Sequence, residues 1–100
     1  MTPEDVGRHA ESLPRVKCKG TAERPGWYVD DRLVARMADP TTLVVRVPLG
    51  RRDALVGRYP NTFGVPPRME SHHKVEAYLD RADPDAVREA VDLAWEMQHR

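Results

Sequence analysis

The stretch "WYVDDRLVARMADPTTLVVRVPL", residues 27–49, decides the fold of this 100-residue chain. Its apolar and polar residues alternate in three runs, which are separated by Asp30-Asp31 and by Asp39-Pro40. Alternation with a period of two is typical of a strand with one buried face, and aspartate and proline are frequent turn residues. The stretch therefore predicts three antiparallel strands in a meander.

The same alternation assigns side chains to the two faces of the meander. The two sides of the second and third strands differ in polarity. One side carries Arg32, Arg36 and Arg46, together with Val34 and Val44. Because strand side chains alternate between faces, the sequence predicts a basic face on the less apolar side of the sheet. The apolar face is predicted to consist of Leu33, Ala35, Met37, Leu43, Val45 and Val47.

Helices are indicated before, within and after the strands. Residues 2–12 begin with an N-cap threonine and a proline at the first helical position, and residues 83–85 repeat this start with Asp-Pro-Asp. Residues 50–59 are predicted to form a short middle helix whose charged "RRD", residues 51–53, lies in solvent. The last helix has an apolar stripe at helical spacing: Val87, Ala90, Val91, Ala94 and Trp95.

Two more strands flank the meander in sequence. Residues 16–18 are predicted to form a short strand with Cys18 on its inward face, and "KVEAYLD", residues 74–80, alternates in the same way. Residues 62–71 are predicted to be irregular, because Pro66 and Pro67 forbid a helix and remove two backbone donors.

The order of these elements predicts an α+β fold in a single domain, residues 1–100. We expect an antiparallel sheet of about four to five strands, with the N-terminal, short middle and C-terminal helices packed on it. Hydrophobic content of 40% and charged content of 32% are normal for a globular chain and exclude a disordered one.

No apolar run approaches the roughly 20 residues of a membrane span, and "MTPEDVGRHAESLP" lacks the features of a signal peptide. We therefore expect a cytoplasmic protein without a membrane partner. Cys18 is the only cysteine, which excludes an intrachain disulfide and any CxxC motif.

The charge of the chain is unevenly distributed. The net charge is zero, yet residues 14–60 hold ten Lys/Arg against five Asp/Glu. A local patch rather than the total charge decides electrostatic binding, so the middle of the chain is the candidate for an anionic partner.

Three segments together resemble the MmcQ/YjbR family of small bacterial proteins. They are "RPGWYVDDRLVARM" (24–37), "LVVRVPLGRRDALVGRYPNTFGVPP" (43–67) and "VEAYLDRADPDAVREAVDLAWEM" (75–97). The resemblance implies a compact α+β fold similar to frataxin-like and secretion-chaperone-like folds, and a proposed DNA-binding role through a double-wing element. The chain departs from the family in carrying "RMESHHK" where many relatives have aromatic residues, and in ending with "QHR" where a basic tail is frequent.

A metal site is the first function to weigh, because His72 and His73 are adjacent. Neighbouring residues of an extended chain point to opposite faces, whereas zinc ligands are usually spaced by two to five residues. The other ligands would come from Glu70, Cys18, His9 or His99. The prediction is a solvated loop, with no metal and no cofactor.

An enzyme is not predicted either. The chain has no glycine-rich phosphate loop, and no residues that pair a nucleophile with a base. Cys18 on an inward strand face is expected to be a small core residue, since reactive thiols lie partly exposed beside positive charge.

Two binding functions remain open. The first is DNA binding through phosphate contacts, with Arg32, Arg36, Arg46, Arg68 and Lys74 as the candidate residues. Against it stand a pI of about 6.9 and the aspartates at the turns, where a wing would meet phosphate. The alternative is a protein-interaction or homodimerising module, whose sheet face would combine arginines with Val34, Val44, Tyr28 or Tyr78.

Overall fold

The computed structural model describes residues 1–99, and the meander lies in the middle of its sheet. Strands β2 (Pro25–Val29), β3 (Arg32–Asp39) and β4 (Thr42–Val45) pair antiparallel in chain order. Asp30 and Asp31 form the first turn with φ angles of 50° and 63°. Positive φ at both central positions defines a type I′ turn, which matches the twist of a hairpin. The predicted meander is confirmed.

Three more strands complete the sheet on both sides of the meander. They are β1 (Val16–Gly20), β5 (Phe63–Gly64) and β6 (Val75–Tyr78). The spatial order is β1-β2-β3-β4-β6-β5, and every neighbouring pair is antiparallel. The sheet thus has six strands rather than four to five. The two residues of β5 are too few to produce an alternating pattern, which is why the sequence does not reveal this strand.

The helices are α1 (Pro3–Glu11), α2 (Leu49–Arg58) and α3 (Pro84–Gln98). Thr2 and Asp5 form a capping box, in which each side chain accepts a hydrogen bond from the other's backbone nitrogen. Asp83 caps α3 by accepting from the backbone nitrogen of Asp85 at 2.9 Å. Both predicted helix starts are confirmed, and the chain is a single-domain α+β protein.

The main core lies between α1, α3 and one face of the sheet. The helical stripe of α3 is buried at Val87, Ala90, Val91 and Ala94, as predicted. Trp95 is only partly buried, because its indole nitrogen donates to the carbonyl of Pro14 at 3.0 Å near the surface.

A β-bulge in β3 changes which side chains share a face. Trp27 pairs with Ala35 but Tyr28 pairs with Leu33, so Val34 has no partner on β2. Val34 and Ala35 are both fully buried in the core. One extra residue in a strand reverses the alternation beyond it.

The bulge moves Arg32 to the helix-covered face. Arg32 pairs with the buried Val29, and its guanidinium donates to the carbonyl of Gln98, at the end of α3, at 3.3 Å. The prediction that Arg32 shares a face with Arg36 and Arg46 is therefore wrong. For the same reason, Leu33 and Val34 have exchanged the faces predicted for them.

The prediction for Cys18 is also wrong. Cys18 pairs with the buried Trp27, which agrees with an inward-facing position, yet it is exposed on the edge strand β1 and is not part of the core. Partial burial, followed by the nearby Glu11 carboxylate, raises the pKa of the Cys18 thiol, which lowers its thiolate fraction at neutral pH.

The face of the sheet opposite α1 and α3 is covered only in part. The segment 65–73, here called the cover loop, contains a 3₁₀ helix at Pro67–Met69. Val44 points away from the main core and is nonetheless fully buried, and Met69 is 7% exposed. Arg68 pairs with Glu76, the β6 neighbour of Val44, which shows that the cover loop lies over this part of the sheet. None of the helices in residues 1–99 has the length and apolar character for crossing a bilayer.

Substitutions at two glycines should change stability in opposite directions. A Cβ on Gly64 would overlap the ring of Tyr78, whereas a Cβ on Gly57 would meet nothing within 4 Å. We expect Gly64→Ala to lower the free energy of unfolding by about 1–3 kcal/mol. Gly57→Ala, inside α2, should raise it by about 0.5–1 kcal/mol. Urea unfolding measures both, and equal effects of the two substitutions would contradict the packing described for Tyr78.

Candidate functional site

The face opposite α1 and α3, here called the open face, carries Arg36 near its centre. Gly26 pairs with Arg36, Arg36 with Val44, Val44 with Glu76, and Glu76 with Gly64. Directly paired residues point to the same side of a sheet. Arg36 therefore lies on the open face, on the same row as the buried Glu76.

Arg46 and Lys74 lie next to each other on this face. Pairing of β4 with β6 continues past the ends of the strands, since the backbone nitrogen of Val47 donates to the carbonyl of His73 at 3.1 Å. This register sets Arg46 opposite Lys74. Two like charges in opposite positions destabilise a sheet, and within residues 1–99 neither side chain has a hydrogen-bond or ion-pair partner. The Nε atom of Arg46 is buried without a partner there.

The cover loop contributes two more basic side chains. Arg36, Arg68, His72 and Lys74 line a depression of about 220 Å³, together with Met69. Three of the five candidate residues thus share one depression, and Arg46 neighbours Lys74. Arg32 lies on the other face of the sheet. The term basic patch is used below for Arg36, Arg46, Arg68, His72 and Lys74.

Arg52 holds the cover loop in place. Its guanidinium donates to the carbonyls of Met69 at 3.2 Å, His72 at 2.7 Å and Glu70 at 3.0 Å. Arg52 is only 6% exposed, so the prediction that "RRD" lies in solvent is wrong for this residue. The sequence contained an indirect signal, because a proline-rich loop leaves carbonyls that need donors.

Glu76 is a buried acid next to the basic patch that sequence reasoning missed. It accepts hydrogen bonds from Arg68 at 3.1 Å and from the Tyr78 hydroxyl at 3.2 Å, and it is 7% exposed. Burial, followed by the negative charge of Glu76, raises the pKa of Tyr78. Alternation placed Glu76 on the less apolar side of its strand but gave no sign that the cover loop would bury it.

A second depression lies at the β1 end of the sheet, with a volume of about 380 Å³. In it, Lys19 pairs with Asp31 at 2.7 Å and Arg15 with Asp30 at 3.2 Å. The depression is lined by Arg15, Lys17, Lys19, Tyr28, Asp30 and Asp31.

The tips of the two hairpins are acidic. The hydrogen bond from Lys19 lowers the pKa of Asp31, and the backbone hydrogen bond from Thr41 lowers the pKa of Asp39. Both carboxylates are therefore ionised at neutral pH. Asp39 has no ion pair within residues 1–99, so its negative charge opposes insertion of this tip between phosphates, whereas Asp30 and Asp31 are paired with Arg15 and Lys19.

The histidines do not converge on one another. His72 and His73 are both exposed, His9 contacts the Asp92 carboxylate at 2.7 Å, and His99 stacks on Trp95 with ring centroids 4.0 Å apart. Among residues 1–99, no three His, Cys, Asp or Glu side chains are grouped so as to hold a metal ion.

Loss of the Arg52 guanidinium should destabilise the protein strongly. Arg52→Met leaves three loop carbonyls without a donor, and we expect a loss of about 3 kcal/mol in the free energy of unfolding. The matched control is Arg51→Met, which changes an exposed neighbour on the same helix and should stay within about 0.5 kcal/mol. Equal unfolding midpoints in urea for the two variants would show that the hydrogen bonds from Arg52 to the cover loop do not contribute to stability.

Neutralising Glu76 should make Tyr78 easier to ionise. Glu76→Gln keeps a hydrogen-bond acceptor but removes the charge that opposes the phenolate, so the pKa of Tyr78 should fall while burial still keeps it raised. Ultraviolet titration of tyrosinate measures this, with Tyr78→Phe to assign the signal. Glu70→Gln, an exposed acid of the cover loop, is the control. An unchanged titration in Glu76→Gln would contradict the assigned cause.

Comparison with known proteins identifies a fold and no function. No family model matches the chain, and no curated protein matches it. The crystal structure of Deinococcus radiodurans protein DR2400, which has a DUF419 domain, is similar with a TM-score of 0.77 at 18% sequence identity. The match covers 96% of this chain and 77% of that one. At this identity the likeness shows that the two chains share a fold.

Proposed function

We propose that the chain is a small bacterial, cytoplasmic protein of the MmcQ/YjbR type that binds DNA through the basic patch. The three sequence segments quoted above support the family, and the α+β fold shared with a DUF419 domain protein agrees with it. The proposed activity is binding, without a catalytic step or a cofactor.

The observation that carries this proposal is a group of cations without partners. Within residues 1–99, Arg36, Arg46 and Lys74 have no hydrogen-bond or ion-pair partner for their side chains. Some other surface arginines, such as Arg8 and Arg88, contact carboxylates at 3.1 Å and 2.9 Å; what distinguishes Arg36, Arg46 and Lys74 is that they lack a partner and adjoin one another on one face. Charges that neighbour one another without compensation repel, and a bound phosphate would relieve that repulsion.

The basic patch explains how a chain of zero net charge would bind an anion. Several acids of the chain are paired with other cations, including Glu76 with Arg68, and no ion pair within residues 1–99 joins an acid to Arg36, Arg46 or Lys74. Contacts from arginine and lysine to phosphate fix the position of a protein on DNA but do not discriminate between bases. The proposed binding is therefore tolerant of sequence.

The alternative, a protein-interaction or homodimerising module, has less support. Val34 lies in the core and Val44 is fully buried, and the structure has no large exposed hydrophobic side chain in residues 1–99. An apolar interface on the open face therefore lacks two of the side chains predicted for it, Val34 and Val44, whereas Tyr28 and Tyr78 are half-buried.

Two arginines of the same strand provide the test. Arg36→Ala removes a phosphate contact in the proposal, whereas Arg32→Ala acts on the opposite face of β3. We expect Arg36→Ala and Lys74→Ala each to weaken binding and to reduce the slope of log affinity against log salt by about 1. Fluorescence anisotropy with labelled DNA measures this, after thermal unfolding has shown that each variant is folded.

Two results would overturn the proposal. One is the absence of any DNA binding by micromolar protein at roughly 50 mM salt. The other is an equal loss of affinity in Arg32→Ala and Arg36→Ala, because the open face would then have no special role.

A further inference from the structure

We propose that the open face binds single-stranded DNA, with one base against the ring of Tyr28 and neighbouring phosphates on the basic patch. This inference rests on the proposed DNA binding and specifies the form of DNA. It also assigns a role to the second depression, which lies outside the basic patch.

Tyr28 lies on the same face as Arg36. Lys17 pairs with Tyr28 and Lys19 with Gly26, and Gly26 in turn pairs with Arg36. A Cβ on Gly26 would lie 3.0 Å from Cε1 of Tyr28 and 3.5 Å from its hydroxyl. The ring therefore lies along strand β2, over a glycine, and is half-buried. The Nζ atom of Lys19 lies over the ring and pairs with Asp31 at 2.7 Å, so a base would reach the ring by taking the place of this flexible side chain.

The depression beside Tyr28 has the size and chemistry for a nucleoside. Its volume of about 380 Å³ falls in the range of small-molecule sites, roughly 300–1,000 Å³. Lys17 has no side-chain partner within residues 1–99, and the Nζ atom of Lys19 lies 5.3 Å from the ring centroid. Asp30 and Asp31, which are paired with Arg15 and Lys19, complete the lining. An aromatic ring beside lysines is the combination on which single-stranded nucleic acids stack their bases.

The two depressions lie along one path across the sheet. Tyr28 is on β2, Arg36 on the adjacent β3, and Lys74 at the start of β6. Strands β2 and β6 are three spacings of about 4.8 Å apart, which gives a path of about 14 Å. A flexible strand can place a base at one end of this path and phosphates at the other.

The acidic hairpin tips argue against duplex DNA. A protein reads a duplex by inserting a helix or a two-stranded ribbon into a groove about 12 Å wide. In this chain Asp39, whose pKa is lowered and which has no ion pair within residues 1–99, lies at the end of the β3-β4 ribbon, so phosphates on both sides of a groove would repel it; Asp30 and Asp31 are paired with Arg15 and Lys19. The broad face with shallow depressions favours an unpaired strand instead.

The test compares three ligands by anisotropy at one salt concentration. They are a short single-stranded oligodeoxynucleotide, the same sequence as a duplex, and an abasic strand of equal length that keeps the phosphates. We expect the single strand to bind about tenfold more tightly than the duplex and the abasic strand. Tyr28→Leu should lose about tenfold for the single strand, whereas Tyr28→Phe, the matched control, should keep the affinity.

A second variant gives a direct signal at the ring. Tyr28→Trp places an indole over Gly26, and its fluorescence should be quenched by the single strand and unaffected by the abasic strand. Circular dichroism establishes that the variants are folded. If all three ligands bind alike, or if the duplex binds best, this inference is overturned while DNA binding stands. If none of the ligands binds, the proposed function falls as well.

Discussion

Three main-chain carbonyls, those of Met69, Glu70 and His72, are satisfied by one buried guanidinium, that of Arg52. The cover loop has two prolines at its start and forms only one short 3₁₀ turn, so it cannot satisfy these groups by itself. A buried carbonyl without a donor would cost more than the loop gains by packing on Val44. These carbonyls lie next to Arg68 and His72 in sequence. The hydrogen bonds from Arg52 therefore also fix the positions of these two basic side chains on the open face.

The fold could largely be predicted because its signals are local. Thr2 and Asp83 are caps, and Asp30-Asp31 marks a two-residue turn, so each is recognisable from a few neighbouring residues. Other features depend on residues far away in sequence. The bulge at Val34 is created by pairing with β2, and Cys18 is exposed at the edge of the sheet although it pairs with the buried Trp27. Neither condition leaves a pattern at the residue itself.

The residue types of the candidate site could be predicted from the sequence, but the positions of these residues on the sheet could be predicted only in part. Arg36, Arg68 and Lys74 line one depression although they come from β3, the cover loop and the start of β6. Arg32 matched them in residue type, but one extra residue in β3 turned it to the other face. The total charge was a poor guide for a similar reason, since it counts Asp5, Asp85 and other acids that are engaged with cations elsewhere. What matters for binding is which cations have no acid within reach.

The two-residue length of β5 also affects the association of one molecule of this protein with another. An edge strand is a template for a strand of a second chain, and Phe63–Gly64 offers too few backbone groups for a stable addition. The opposite edge, β1, carries Lys17 and Lys19, and lysines at an edge discourage such pairing. A chain of zero net charge lacks the long-range repulsion that keeps proteins apart at high concentration. Resistance to aggregation must therefore come from the ends of the sheet.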